Sequence, residues 1–379
     1  MHILIAIDSF KGSLSSPRAA DAIRRGILRA DPSAAFTVIP VADGGEGTVD
    51  TLVEGLGGER VECTVTGPLG TCVTARYGLL PEQKTAVFEM AQAAGLPLVP
   101  SALRDPMNTT TYGVGQLLKH ALDRGYRRLV LGIGGSATND CGLGMLTALG
   151  CRFSDAEGDP VHIYGRDVEK VAAIDVSGLD PRLKECEILV ACDVVNPLCG
   201  PNGASHIFAP QKGASPEVAA RMDAAHGKFA ALVRDTLGID AAGLPGAGAA
   251  GGLGFALKSF LGAEMRSGVA LILDTLHFEQ AVQQADLVIT GEGRLDRQSA
   301  MGKLPSGVAR YAKRYQKPVV ALCGSVAEGA QACLGAGIDA CFPIPAGPCT
   351  LEEAMAPQTA EENLARTAEQ VYRLFSLRT

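Results

Sequence analysis

The feature that most constrains the fold is an alternation, repeated along the chain, of short apolar segments, glycine-containing loops and amphipathic helices. The first segment, HILIAID, is closed by Asp8 and is typical of a strand covered on both faces of a parallel sheet. After the loop SFKGSLSS, apolar residues recur at helical spacing from Ala20 to Leu28. Counting this first segment, short apolar segments lie near residues 3, 36, 129, 286, 318 and 339. We expect these strands to form one open, doubly wound parallel sheet.

Two helix starts can be predicted from local sequence. Ser16 precedes Pro17, which indicates an N-cap followed by the first helical position. Thr359 is followed three residues later by Glu362, the spacing of a capping box. We therefore expect the C-terminal helix to begin at Thr359.

The pattern changes in two parts of the chain. Residues 59–80 alternate apolar and polar positions around Gly67 and Pro68, as in an antiparallel hairpin. Residues 151–283 combine the short strand EILVACD with a long loop and an alanine-rich helix. We therefore predict an α/β protein in which a mixed α/β domain is inserted into the parallel-sheet domain. The parallel-sheet domain is expected to comprise residues 1–58, 104–150 and 284–379, and the inserted domain residues 59–103 and 151–283.

Composition excludes several classes of protein. The chain has 34 basic and 41 acidic residues among 379, a net charge of −7, which disfavours a nucleic-acid partner. The start lacks a signal-peptide pattern, and no apolar run approaches the roughly 20 residues of a membrane span, so we expect a cytoplasmic protein. Eleven cysteines without a C-x-x-C pair indicate neither a disulfide framework nor a zinc site. The sequence leaves the oligomeric state open.

Glycines and charged residues recur directly after the predicted strands. They occupy residues 8–13, 43–48, 134–140 and 291–303, and Asp193 ends another strand. Ligands of open parallel sheets bind at the carboxyl ends of the strands. Glycine loops let backbone N–H groups approach phosphates, cations offset their charge, and carboxylates hold Mg²⁺ or accept a hydroxyl proton. The sequence therefore predicts a phosphoryl-transfer site at this edge.

Other interpretations of these loops remain open. GIGGSA, residues 132–137, fits a loose dinucleotide-binding pattern, so a dinucleotide-dependent oxidoreductase is one alternative and a plain tight turn another. A two-domain binding protein without catalysis would also fit the fold. GRLDRQSAMGKL is not a Walker A loop, because Arg297 stands in place of its first glycine and Leu304 follows Lys303. GAGAAGGLGFAL could serve close helix packing or phosphate contact.

Several stretches, taken together, resemble the bacterial type I glycerate kinase family, and they span nearly the whole chain. In chain order they are DSFKGSLSS, VADGGEGT, EMAQAAGL, TTTYGVG, GIGGSATND, CDVVNPLCGPNGASHIFAPQKGA, GAAGGLGFAL and TGEGRLDRQSAMGK. One departure is Cys141, where the family pattern leads us to expect glycine.

The resemblance implies an enzyme, a kinase that uses ATP and Mg²⁺ to phosphorylate D-glycerate to 2-phospho-D-glycerate. Phosphorylation of the 3-hydroxyl is the alternative within the same class. The resemblance also implies two α/β domains, one flavodoxin-like and one of restriction-endonuclease-like topology. We expect the site in the cleft between them.

The resemblance and the strand-end argument together assign candidate roles. Asp193 is the predicted general base, with Asp296 as the second candidate and Lys11 as a further catalytic residue. The predicted substrate-binding residues are Asp8, Ser9, Arg294 and Asn196. The ATP phosphates are assigned to Gly134, Gly135, Ser136 and Thr138 at a helix N-terminus, with Lys212 and Lys303. The predicted Mg²⁺ ligands are Asp43, Glu46 and Asp140.

Overall fold

The computed structural model describes residues 1–41 and 47–377. In these ranges the strands are β1 (His2–Ile5), β2 (Ala35–Val38), β3 (Glu59–Thr66), β4 (Cys72–Leu80), β5 (Thr85–Glu89), β6 (Arg128–Gly132), β7 (Arg152–Ser154), β8 (Ala173–Asp175), β9 (Glu187–Ala191), β10 (Glu264–Arg266), β11 (Leu287–Leu295), β12 (Val319–Val326) and β13 (Ala340–Pro343).

The α-helices of the same ranges are α1 (Ser16–Ala30), α2 (Thr48–Leu56), α3 (Ala91–Ala94), α4 (Tyr112–Asp123), α5 (Leu143–Ala148), α6 (Ala204–Phe208), α7 (Pro216–Leu237), α8 (Ala249–Leu261), α9 (Gly268–Thr275), α10 (Phe278–Gln284), α11 (Leu304–Arg314), α12 (Ala332–Gly335), α13 (Leu351–Met355) and α14 (Pro357–Ser376). None of these helices combines the length and the apolar character that a membrane crossing requires.

The chain folds into two compact units. Unit 1 comprises Met1–Asp43, Glu54–Leu56 and Val269–Thr379, and unit 2 comprises Gly44–Val53 and Gly57–Gly268. Unit 2 is therefore an insertion in the sequence of unit 1. The predicted placement of residues 104–150 in the first domain differs from this division, which puts them in unit 2.

Unit 1 contains a five-stranded sheet in the order β13-β12-β11-β1-β2, and all its strand pairs are parallel. Numbered within the unit, this is the order 2-1-3-4-5 of flavodoxin-like folds. Leu4 and Ile5 point to opposite faces of β1 and both are fully buried. Ile3 and Ile5 belong to a core that includes residues of α1 and α14. The prediction of an open parallel sheet covered on both faces is confirmed.

Unit 2 contains a six-stranded mixed sheet in the order β10-β9-β6-β5-β4-β3. Its β3 and β4 pair antiparallel, which confirms the predicted hairpin. The assignment of the strand near residue 129 to the first sheet was wrong, because β6 pairs in parallel with β5 and β9. A continuous apolar segment indicates that a strand is covered on both faces, but it carries no information about which sheet the strand joins.

The predicted start of the C-terminal helix was also wrong. Thr359 lies inside α14, which begins at Pro357. A capping box is formed instead by Thr350 and Glu353, and it opens the short helix α13. Pro357 can occupy the first turn of a helix without loss of a hydrogen bond, which allows α14 to start before Thr359.

Candidate active site

A pocket of about 440 Å³ lies in unit 1 at the carboxyl ends of its strands. The central strands are β1 and β11, and between them the order of strands along the chain reverses. This is the topological switch point, where open α/β sheets bind ligands. The charged side chains lining the pocket are those of Asp8, Lys11, Glu292, Arg294, Asp296 and Lys303. The structure thus brings together these charged residues, all but Glu292 of which were predicted from the sequence, together with the predicted Ser9.

Asp8 and its neighbours are placed by the end of β1. The backbone N–H of Asp8 donates to the carbonyl oxygen of Gly291 at 3.0 Å, so the chain follows β11 beyond the last residue of β1. The Asp8 Oδ1 atom accepts the backbone N–H of Ser9 at 2.7 Å. Lys11 lies in the tight turn that follows, in which Gly12 has φ = 79°, a conformation that favours glycine. This turn presents Ser9 and Lys11 to the pocket.

Residues 291–295, GEGRL, were predicted to belong to the loop after the strand, but they continue β11 to Leu295. The glycines of this segment permit close pairing with β12, since a Cβ atom on Gly291 would lie 1.9 Å from the carbonyl oxygen of Leu322. Glu292 and Arg294 alternate with glycines, so both side chains leave the same face of the strand. This period of two residues was the sequence signal for a strand.

Glu292 is a pocket residue that the predicted site did not include. Its Oε1 atom is buried and has no hydrogen-bond partner among the described residues. Burial raises the pKa of Glu292, and the Asp8 and Asp296 carboxylates act in the same direction, whereas Ser299 and Lys303 act against them. Burying a carboxylate oxygen without a hydrogen-bond partner costs free energy of folding, so such a group is a candidate functional group.

Asp296 has a structural task besides its place in the pocket. Its Oδ1 atom accepts the backbone N–H groups of Gln298 at 2.8 Å and Ser299 at 3.2 Å. The other carboxylate oxygen lies 4.0 Å from Nε of Arg294. The turn that Asp296 forms leads to Lys303, which precedes the first residue of α11. One Asp296 oxygen is thus already engaged by the backbone.

Asp193 and Asn196 lie in unit 2, after the end of β9. Asp193 Oδ1 accepts the backbone N–H of Gly268 at 3.0 Å. Asn196 donates its side-chain amide to the carbonyl oxygen of Asn202 at 2.8 Å. The predicted roles of Asp193 and Asn196 stay predictions.

The predicted phosphate loop of unit 2 differs from the expectation. Gly134 and Gly135 form an exposed turn, but the helix after them, α5, begins only at Leu143. The amides at its start already have an acceptor, because the Asp140 carboxylate accepts the N–H groups of Gly142 and Gly144, each at 3.2 Å. The glycines therefore do not lie at a helix N-terminus.

Asp140 has no solvent-exposed surface. Besides these two amides, its carboxylate accepts the backbone N–H and the hydroxyl of Thr111, at 2.8 and 2.7 Å. Both oxygens are therefore engaged inside the unit, and Asp140 does not fit a Mg²⁺ ligand. The other two predicted ligands, Asp43 and Glu46, lie outside the described residues.

Lys212 was assigned to the ATP phosphates, but its side chain lies inside unit 2 with 1% of its surface exposed. Its Nζ atom donates to the hydroxyl of Ser136 at 2.8 Å and to the carbonyl oxygen of Thr138 at 2.6 Å. Burial lowers the pKa of Lys212 to about 7. Lys212 thus holds the 134–138 loop from within and does not face solvent.

The glycine run near residue 250 serves close packing. A Cβ atom on Gly251 would lie 2.1 Å from the carbonyl oxygen of Thr138, and the backbone N–H of Cys141 donates to the carbonyl oxygen of Gly251 at 3.0 Å. Cys141 itself has φ = 51°, a region that glycine adopts most readily. This conformation explains why the family pattern leads us to expect glycine there.

The fold and the pocket define an α/β protein with a pocket at the switch point of a flavodoxin-like sheet, lined by both cations and carboxylates. That combination suits phosphoryl transfer. The model of the glycerate kinase family matches residues 3–376, and the chain belongs to this family. Family membership and the late start of α5 both argue against the dinucleotide-dependent oxidoreductase.

Individual proteins of the family are similar over their full length. Glycerate 2-kinase of Escherichia coli K12 is 46% identical, with 98% of this chain and 97% of the relative covered. Glycerate kinase of Haemophilus influenzae is 47% identical, with all of both chains covered. The crystal structure of a protein assigned as glycerate kinase 2 from Salmonella typhimurium LT2 matches with a TM-score of 0.91 and 48% identity, covering 100% of this chain and 98% of that one.

Proposed function

We propose that the protein transfers the γ-phosphoryl group of ATP to the 2-hydroxyl of D-glycerate, giving 2-phospho-D-glycerate and ADP. Membership of the glycerate kinase family supports the substrate. The name of the Escherichia coli relative, glycerate 2-kinase, supports the 2-hydroxyl as the acceptor. Transfer to the 3-hydroxyl is the alternative.

The observation that carries the proposal is the set of charges in the unit 1 pocket. Lys11, Arg294 and Lys303 line one pocket at the carboxyl ends of the strands. Cations in such a position offset the charge of a transferring phosphoryl group and can hold the glycerate carboxylate. All three cations therefore lie at the edge of the sheet where ligands of this fold class bind.

Glu292 is the pocket carboxylate best suited to accept the hydroxyl proton. Its Oε1 atom has no hydrogen-bond partner among the described residues, whereas Asp296 uses one oxygen to form a turn. As the glycerate oxygen bonds to the γ-phosphorus, its proton passes to Glu292. The bond between the γ-phosphorus and the bridging oxygen then breaks and ADP leaves. Asp193, predicted as the base from the sequence, is the alternative acceptor.

Mg²⁺ is part of the proposal because it commonly offsets phosphate charge in phosphoryl transfer. Within the described ranges, no group of three or more histidine, cysteine, aspartate or glutamate side chains is arranged to hold a metal ion. Mg²⁺ often takes only one or two protein carboxylates and completes its shell with phosphate and water oxygens. Asp43 and Glu46 remain the proposed ligands.

Turnover of the purified protein with ATP, Mg²⁺ and D-glycerate tests the proposal. We expect ADP and 2-phosphoglycerate, identified by phosphorus NMR, and loss of turnover when EDTA is added. A 3-phosphoglycerate signal would replace the 2-hydroxyl by the 3-hydroxyl. Turnover with another hydroxy acid or sugar, and none with glycerate, would refute the substrate and leave the kinase class intact.

A further inference from the structure

One part of the lining of the unit 1 pocket is apolar, in contrast to its charged residues. This apolar wall consists of Leu304, Ile344, Leu351 and Met355, all of which line the pocket. Leu304 and Ile344 are buried, whereas Leu351 has 76% of its surface exposed. A pocket lined by several apolar side chains beside cations fits a ligand that has both an apolar and an anionic part.

The short helix α13 sets the position of this wall. Thr350 and Glu353 cap its N-terminus reciprocally, with the Thr350 N–H donating to a Glu353 carboxylate oxygen at 2.8 Å. At its other end, the terminal methyl carbon of Met355 lies 2.9 Å from the point that a Cβ atom on Gly12 would occupy. The helix therefore stands directly over the turn that carries Lys11, and the apolar and cationic surfaces are continuous.

The size and chemistry of the pocket distinguish the two proposed substrates. Its volume of about 440 Å³ falls in the range of sites for drug-sized ligands, roughly 300–1,000 Å³. D-glycerate is a three-carbon acid with polar groups on every carbon, so it neither fills such a pocket nor offers an apolar face. ATP joins a flat aromatic base to a polyanionic chain, which matches an apolar wall adjoining cations.

We propose that the wall formed by Leu304, Ile344, Leu351 and Met355 binds the adenine ring of ATP, with the phosphate chain directed toward Lys11 and Lys303. This inference rests on the proposed function for the identity of the nucleotide. It differs from the sequence-based assignment, which placed most phosphate contacts on the 134–138 loop of unit 2. It assigns nucleotide recognition to unit 1 and to a helix outside the motifs that carry the family resemblance.

The test compares Leu351→Ala with a matched control, Leu374→Ala. Leu374 has 62% of its surface exposed on α14 and does not line the pocket, so both changes remove an exposed leucine from a helix. In Leu351→Ala we expect the KM for ATP to rise roughly fivefold or more, because the variant loses the leucine surface that the bound adenine ring would cover. The KM for D-glycerate and the inhibition constant of inorganic triphosphate, which has no base, should stay unchanged. Leu374→Ala should leave all three constants unchanged.

An unchanged KM for ATP in Leu351→Ala would overturn the inference, and so would a rise confined to the KM for D-glycerate. An equal loss of affinity for inorganic triphosphate would also overturn it, because that loss would come from the phosphate site. Calorimetric titration with ATP alone separates this inference from the proposed function. Weaker ATP binding by Leu351→Ala than by the wild type supports the adenine site even if the acceptor is not glycerate.

Discussion

Replacing Lys212 by methionine should remove a pH dependence of stability that this one side chain creates. Lys212 is buried in unit 2, and its Nζ atom donates to two uncharged groups, the Ser136 hydroxyl and the Thr138 carbonyl oxygen. Burial disfavours the charged ammonium and lowers its pKa, while the more distant Asp140 carboxylate acts in the opposite direction. Methionine keeps the length and the apolar stem without the charge.

The magnitude follows from the difference between the two states of the chain. The pKa of Lys212 is about 7 in the native protein, and its ordinary value, which applies to the unfolded chain, is 10.5. Between these values the side chain is neutral when folded and charged when unfolded, so the unfolded chain binds more protons and stability rises with pH. At about 1.4 kcal/mol per pKa unit, the full rise is about 5 kcal/mol. The part between pH 7 and pH 9 is about 2 kcal/mol.

The assay is urea unfolding at several pH values from 7 to 9, followed by far-UV circular dichroism. Tyrosine fluorescence is the second probe, because the chain has seven tyrosines and no tryptophan. The informative quantity is the free energy of unfolding of the wild type minus that of Lys212→Met at each pH. This difference cancels other groups, including Cys141 and Cys151, whose pKa values burial raises. Thiols of that kind lower stability as pH rises.

The difference should increase by about 2 kcal/mol across this range. Lys184→Met is the matched control, because Lys184 is exposed in the same unit, and its difference from the wild type should be flat. A flat difference for Lys212→Met would refute the reasoning, since it would mean that Lys212 stays charged in the native protein. If Lys212→Met does not fold, Lys212→Gln provides the same comparison.

Two further predictions concern the pocket and the sheet. Glu292→Gln should lower kcat by roughly 10²- to 10⁴-fold with little change in the Kd for ATP. Burial raises the pKa of Glu292 above 4.5, so the acidic limb of the wild-type plot of kcat against pH should lie above that pH. This limb should disappear in Glu292→Gln. Normal kcat in Glu292→Gln with a strong loss in Asp193→Asn would assign the role of general base to Asp193. Gly291→Ala should destabilise unit 1 by about 1–3 kcal/mol, because its Cβ would lie 1.9 Å from the Leu322 carbonyl oxygen. Gly335→Ala should leave the thermal unfolding temperature nearly unchanged, because its Cβ would meet no atom of the described residues within 4 Å. Equal unfolding temperatures for the two variants would contradict this account.

Local sequence was enough to predict the parallel sheet of unit 1 and most of the charged residues at its edge. A continuous apolar segment such as HILIAID predicts, from its own residues, a strand that is buried on both faces. The residue directly after such a strand lies at the ligand-binding edge whatever surrounds it, which is why Asp8 could be placed in advance. The family could also be identified from sequence, because each of its motifs is a run of consecutive residues that can be recognised without knowing the fold.

Which of the polar residues line the unit 1 pocket, and which are buried elsewhere, depends on the assembled fold. The partner of Lys212, Ser136, is 76 residues away in the chain, and a lysine in a loop looks the same whether it points into a core or into solvent. Segments distant in sequence likewise decide which sheet β6 joins and how the wall above Lys11 forms. They also decide that Glu292 Oε1 has no hydrogen-bond partner among the described residues. Burial and hydrogen-bond partners are properties of the assembled fold, because the groups that desolvate a side chain come from elements far from it along the chain.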